Sequence, residues 1–143
     1  MVRSSFRFLP DIALADIAFL AKGETLETLF EASARALTEV MVDRRSVSAG
    51  TLKILEIKSD TVDGLLYDLL SELIVLKDVD SLLFKTFAVS ISKDKTRLTC
   101  RAKGGTIDRE RNRLRNDVKA VTMHLFGVKK TKGGFEATVV LDI

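Results

Sequence analysis

The sequence predicts an α+β fold in which a mixed or antiparallel β-sheet packs, in two layers, against two main helices. All of it is expected to lie in a single domain spanning residues 1–143. Three observations predict this. Two segments, Leu26 to Met41 and Val62 to Leu76, repeat apolar residues at helical spacing. Several other segments alternate at the two-residue period of strands. Two pairs of these alternating segments, 83–92 with 96–103 and 118–128 with 135–143, are separated by short turns and read as hairpins.

The elements follow in order. Phe6-Arg-Phe-Leu9 alternates as a short strand that Pro10, the sole proline, ends. Ile17 to Ala21 reads as a second strand closing at Lys22-Gly23. Thr25 then offers an N-cap, and Glu27 places a negative charge in the first helical turn, where the dipole favours it. Thr28 stands where a full capping box would want Glu or Gln. Leu26, Leu29, Phe30, Ser33, Leu37, Val40 and Met41 form one face of this first helix.

Thr51 to Lys58 carries Leu52 and Ile54 on one face and Leu55 and Ile57 on the other, which predicts an interior strand. Ser59-Asp60-Thr61 supplies caps for the second helix. Its stripe is Val62, Leu65, Leu66, Leu69, Leu70, Leu73 and Leu76, with Asp63, Asp68, Glu72 and Lys77 lying off it. A leucine stripe at this spacing is core rather than a cofactor box. In the hairpin over Lys93-Asp94-Lys95, Phe87, Val89 and Ile91 face the same core as Leu98, Cys100 and Ala102. Gly104 to Arg115 reads as an exposed loop with arginines at 109, 111, 113 and 115. It lacks aromatics for base stacking. Val118 to Val128 predicts a long strand in which His124, the only histidine, reads as a hydrogen-bonded structural residue. Phe135 to Ile143 is its antiparallel return.

Composition bounds the function. The chain is 46% apolar and 30% charged with a formal net charge of +3, so it can build a core and lacks the dense basic excess of a typical nucleic-acid binder. No apolar run approaches the roughly 20 residues of a membrane span, and the N-terminus has no signal-peptide pattern. One cysteine, Cys100, cannot form an internal disulfide, which fits a reducing cytoplasm. No second His or Cys accompanies His124 to make a zinc set.

Three acids have weak local explanations. Asp16 sits between Ala13-Leu14-Ala15 and Ile17-Ala18-Phe19, after Asp11 in the same apolar run. A carboxylate there either caps a turn or meets a cation. Asp43 follows a helix C-terminus, where its sign is wrong. Arg44, Arg45 or a metal ion could compensate it. Asp142 lies at the end of the final strand beside Ile143. Two unit charges ~5 Å apart repel by about 3 kcal/mol at an effective dielectric near 20. Such acids therefore gather only around a cation. Oxygen ligands without imidazole or thiolate select a hard one, calcium or magnesium.

These residues carry a resemblance. Phe8-Leu-Pro10 with Ala15-Asp-Ile17, Gly23-Glu-Thr-Leu-Glu27 opening a helix and Val40-Met-Val-Asp43 are similar to motifs of the archease family. So are Leu65-Leu-Tyr-Asp-Leu-Leu-Ser-Glu-Leu73, the loop from Gly104 to Asn112, Val118-Lys-Ala-Val-Thr-Met-His124 and Leu141-Asp-Ile143. The resemblance spans the chain in order. It implies helices packed on a sheet and a cytoplasmic protein that is not itself an enzyme. Archeases are protein cofactors of the GTP-dependent tRNA-splicing RNA ligase, promoting its guanylylation and multiple turnover, with tRNA met only indirectly and no membrane partner. The family's metal site, with calcium the expected ion and magnesium the alternative, maps by motif onto Asp16, Asp43 and Asp142, with Ile143 adding a main-chain or terminal oxygen. Lys119 matches a family lysine implicated in activating the ligase.

The chain departs from the family at Ala13-Leu14, where many relatives read His-Thr, at Asn112, where His is frequent, and at Gly104-Gly105, where Gly-Glu is frequent. No histidine-dependent step is therefore carried over. Two other functions compete. An RNA-binding or chaperone-like module would use the Arg109 to Arg115 loop. A metal-dependent hydrolase would need a general base, which the sequence does not supply.

Overall fold

The computed structural model describes residues 3–10 and 16–143; Asp11 and the apolar run before Asp16 lie outside the described residues. The elements are β1 (Ser4–Phe8), β2 (Asp16–Gly23), α1 (Leu26–Met41), a 3₁₀ turn (Arg44–Ser46), β3 (Thr51–Lys58), α2 (Val62–Asp80), β4 (Leu82–Ile91), β5 (Arg97–Thr106), β6 (Ala120–Val121), β7 (Gly127–Thr131) and β8 (Gly134–Asp142). The α+β expectation holds, but the strands divide into two sheets and all pair antiparallel. The larger runs β1-β2-β8-β6, with β7 also on β8, and the smaller runs β3-β5-β4. Both helices pack against both sheets. That is why α1 is buried nearly all round, with Leu29, Phe30, Ala34 and Leu37 fully enclosed. No described helix is long and apolar enough to cross a membrane.

Local signals placed α1 well. The Thr25 hydroxyl accepts from the Thr28 amide at 3.1 Å, and the Thr25 amide donates back to the Thr28 hydroxyl at 3.1 Å. A threonine thus completes the box that normally takes Glu or Gln. At α2 the Thr61 hydroxyl accepts from the Gly64 amide at 3.0 Å, a single cap without the return bond. At the other end, Ser81 takes the left-handed conformation that closes many helices.

Five expectations change. β3 pairs only with β5 and is an edge strand, so Leu52 and Ile54 are 44% and 52% exposed. Two-sided apolar character misled here because burial depends on neighbours that the strand does not encode. The long strand expected over 118–128 is broken: β6 and β7 lie in sequence along β8, and residues 122–126 bulge out between them, with Leu125 at φ 56°. His124 therefore lies exposed on that bulge and not in a strand. Gly104 and Gly105 belong to β5 and are buried; a Cβ on Gly104 would run into the Leu83 carbonyl, and one on Gly105 into the Ser48 hydroxyl. Lys77, expected off the stripe, is only 8% exposed. Cys100 is fully buried as expected, and burial pushes its thiol up to about 12.

Candidate functional site

The antiparallel pairing of β2 with β8 sets Asp16 directly opposite Asp142, at the end of the larger sheet. Alternation dictates the rest. Phe19, Ala21, Val139 and Leu141 point into the core, so Asp16 and Asp142 share the opposite face and are both half-buried. Directly opposed side chains on antiparallel strands have Cβ atoms about 4.5–5.5 Å apart, and like charges there are destabilising. Among the described residues neither carboxylate makes an ion pair. Ile143 extends the same strand by one residue. Its main-chain oxygens and two carboxylates are all hard donors, so the residues present fit a divalent hard cation in kind.

Lys119 meets this end through its backbone. Its amide donates to the Asp142 carbonyl at 2.8 Å, and its side chain is exposed. The approach is anchored by Lys77, whose ammonium donates to Asp117, to Asp78 at 2.8 Å and to the Val118 carbonyl at 2.8 Å. Burial opposes the charge on Lys77, but these two carboxylates outweigh it and leave its pKa raised; Lys77 in turn lowers that of Asp117. Sequence reasoning missed Lys77. Its place seven residues after Leu70, on the same helical face, was the available signal. Nothing in the sequence pointed to Asp117, whose role depends on a contact 40 residues away.

Asp43 has arginine partners of its own. Among the described residues no three His, Cys, Asp or Glu side chains converge as metal ligands. Asp43 caps the 3₁₀ turn through the Arg45 amide at 3.1 Å and is gripped by the Arg45 guanidinium at 3.2 and 3.0 Å. Arg113 adds a contact at 3.6 Å. The Arg45 hydrogen bonds hold the Asp43 carboxyl down at about 2. Arginine thus provides the compensation that the wrong-signed charge required.

The arginine loop is tied down rather than free. The Asp43 amide donates to the Arg113 carbonyl, the Arg115 amide to Met41 and the Asn116 amide to Val40. The Arg115 guanidinium donates to the Glu39 carbonyl at 2.7 Å, and the Asn116 side chain to Val40 at 3.0 Å. The Arg115 and Asn116 donors satisfy the Glu39, Val40 and Met41 carbonyls at the end of α1, a helix with no basic residue in its own final turn. Asn112 is structural as well: its side chain accepts from the Asp108 amide and donates to the Ser46 carbonyl. A hollow lined in part by Ser5, Lys22 and Glu24 is at the far end of β2 from Asp16.

Comparison with known proteins agrees with this architecture. The model of the archease protein family (MTH1598/TM1083) matches residues 6–143. The chain is 40% identical over 131 residues to protein archease of Methanothermobacter thermautotrophicus, covering 90% of this chain and 93% of that protein. It is 36% identical over 132 residues to the protein archease of Methanosarcina barkeri, covering 90% of each. The solution structure of Methanobacterium thermoautotrophicum protein 1598 superposes with a TM-score of 0.84 at 39% identity, over 96% of this chain and 98% of that one. The crystal structure of a Thermotoga maritima archease, described as a possible chaperone, shares the fold with a TM-score of 0.64 at 20% identity, over 92% and 93%. With residues 6–143 matched by the family model and the fold shared over 96% of its length, this chain belongs to the archease family.

Proposed function

We propose that this chain is a protein cofactor, not an enzyme, and that it activates a GTP-dependent tRNA-splicing RNA ligase in the cytoplasm. Its role is to promote guanylylation and repeated turnover of the ligase, with tRNA met through that partner. The observation carrying this reading is the pairing of Asp16 with Asp142, joined by the Lys119 amide on the Asp142 carbonyl. Opposed carboxylates cost folding energy unless a cation joins them. The reading assigns them a divalent ion, calcium first and magnesium second, held by Asp16, Asp142 and an Ile143 main-chain oxygen. When bound, the ion would supply fixed positive charge at this end. Asp43 is left out of the ligand set because Arg45 and Arg113 already occupy its carboxylate. Lys119 then stands beside the acids with its ammonium free to approach the partner.

The RNA-binding reading of the Arg109 to Arg115 loop has less support, because Arg113 and Arg115 are engaged with Asp43 and Glu39. A multiple-turnover ligation assay with purified ligase tests the proposal. Asp16→Asn, Asp142→Asn and Lys119→Ala should each lose most of the stimulation while keeping the wild-type circular dichroism. Calcium should raise the Tm of the wild type but not of the two Asp variants. Undiminished stimulation by the Asp variants would defeat the assignment.

A further inference from the structure

The outer face of the β3-β5-β4 sheet carries a row of exposed cations. Along β5, the buried Leu98, Cys100 and Ala102 alternate with the exposed Arg97, Thr99, Arg101 and Lys103. Across β3, Lys58 stands directly opposite Arg97, a like-charge pair. Among the described residues none of these four cations makes an ion pair, and Glu56, opposite Thr99, is the only acid on β3's outer side. Asp94 lies near enough to Arg97 to feel its charge, but its own hydrogen bonds go to Ser92 and Thr96. The flanks suit long basic side chains. Leu52 and Ile54 oppose Lys103 and Arg101 on one side, where they can support aliphatic stems. Thr86, Ala88 and Ser90 oppose Lys103, Arg101 and Thr99 on the other, and all three are small and exposed.

We propose that this face binds the phosphate backbone of RNA, without reading its bases. Strand geometry puts successive outward residues about 7 Å apart, so β5 offers a regular line of positive charges and a hydroxyl at Thr99, with Ser90 beside it. A repeating polyanion matches a regular line better than an acidic protein surface does. No aromatic side chain lies on this face, which removes base stacking. The proposal is separate from the acid end of the larger sheet and stands or falls without it.

The test is fluorescence anisotropy with labelled oligouridylate across a salt series. The triple variant Arg97→Gln/Arg101→Gln/Lys103→Gln should bind at least about tenfold more weakly at low salt. Its log–log salt slope should be shallower by about 2, three single-strand phosphates at about 0.7 each. Arg109→Gln/Arg111→Gln should bind as the wild type does. Wild-type binding by the triple variant, no binding by the wild type, or equal displacement by polyglutamate would each overturn the proposal. An unchanged Tm for the triple variant confirms that folding is not the cause.

Discussion

Lys77 gives the sharpest test of how the fold supports the acid end. Its side chain is 7% exposed, while its partners Asp78 and Asp117 are 53% and 83% exposed. Removing the lysine and removing an acid are therefore unequal perturbations. In Lys77→Met the aliphatic volume is kept, so no cavity opens. Both carboxylates simply return to water. What is lost is the bond to the buried Val118 carbonyl, and an unmet buried acceptor costs about 1–3 kcal/mol. In Asp117→Asn the lysine keeps Asp78 and the Val118 carbonyl. Because the Asp117 carboxylate is exposed, its pairing contributes about 0–1 kcal/mol. At roughly 4 °C per kcal/mol for a domain of this size, Lys77→Met should lower Tm by about 4–12 °C and Asp117→Asn by about 4 °C or less. Thermal unfolding followed by circular dichroism measures both. Amide exchange adds a local reading: the Lys119 amide, two residues past Asp117, should exchange faster in Lys77→Met. Equal losses, or a larger loss for Asp117→Asn, would refute the view that the buried carbonyl sets the cost.

Two further predictions concern helix α1. Thr25→Ala removes the hydroxyl that accepts from the Thr28 amide and should cost about 1 kcal/mol in urea unfolding, whereas an unchanged midpoint would show that the cap contributes nothing. The Asp43 carboxyl is held at about 2, below its ordinary 3.8, so between these values the unfolded chain binds the extra proton and stability falls as pH falls. Urea midpoints between pH 5 and 2 should decline less steeply in Asp43→Asn than in the wild type, and parallel curves would show that the arginine contacts do not act as described.

The sequence by itself determined whatever depends on near neighbours. Helix α1 has the predicted bounds because Thr25 and the spacing from Leu26 to Met41 are local. The β4-β5 hairpin was legible for the same reason, with Phe87, Val89, Leu98 and Cys100 alternating inward. The weak local explanation of Asp16 and Asp142 was also visible, since a charge among apolar residues needs no structure to look costly. Only the tertiary structure decided which strands were edges, because β3's exposure depends on the absence of a second neighbour. It decided that the 118–128 segment breaks into β6, a bulge and β7, and that Lys77 turns inward to Asp117. It decided the acids' neighbours too: register across β2 and β8 joins Asp16 to Asp142, while the close of α1 delivers Asp43 to Arg45 and Arg113. Periodicity records which side a residue prefers. It carries no account of which distant charge arrives to meet it.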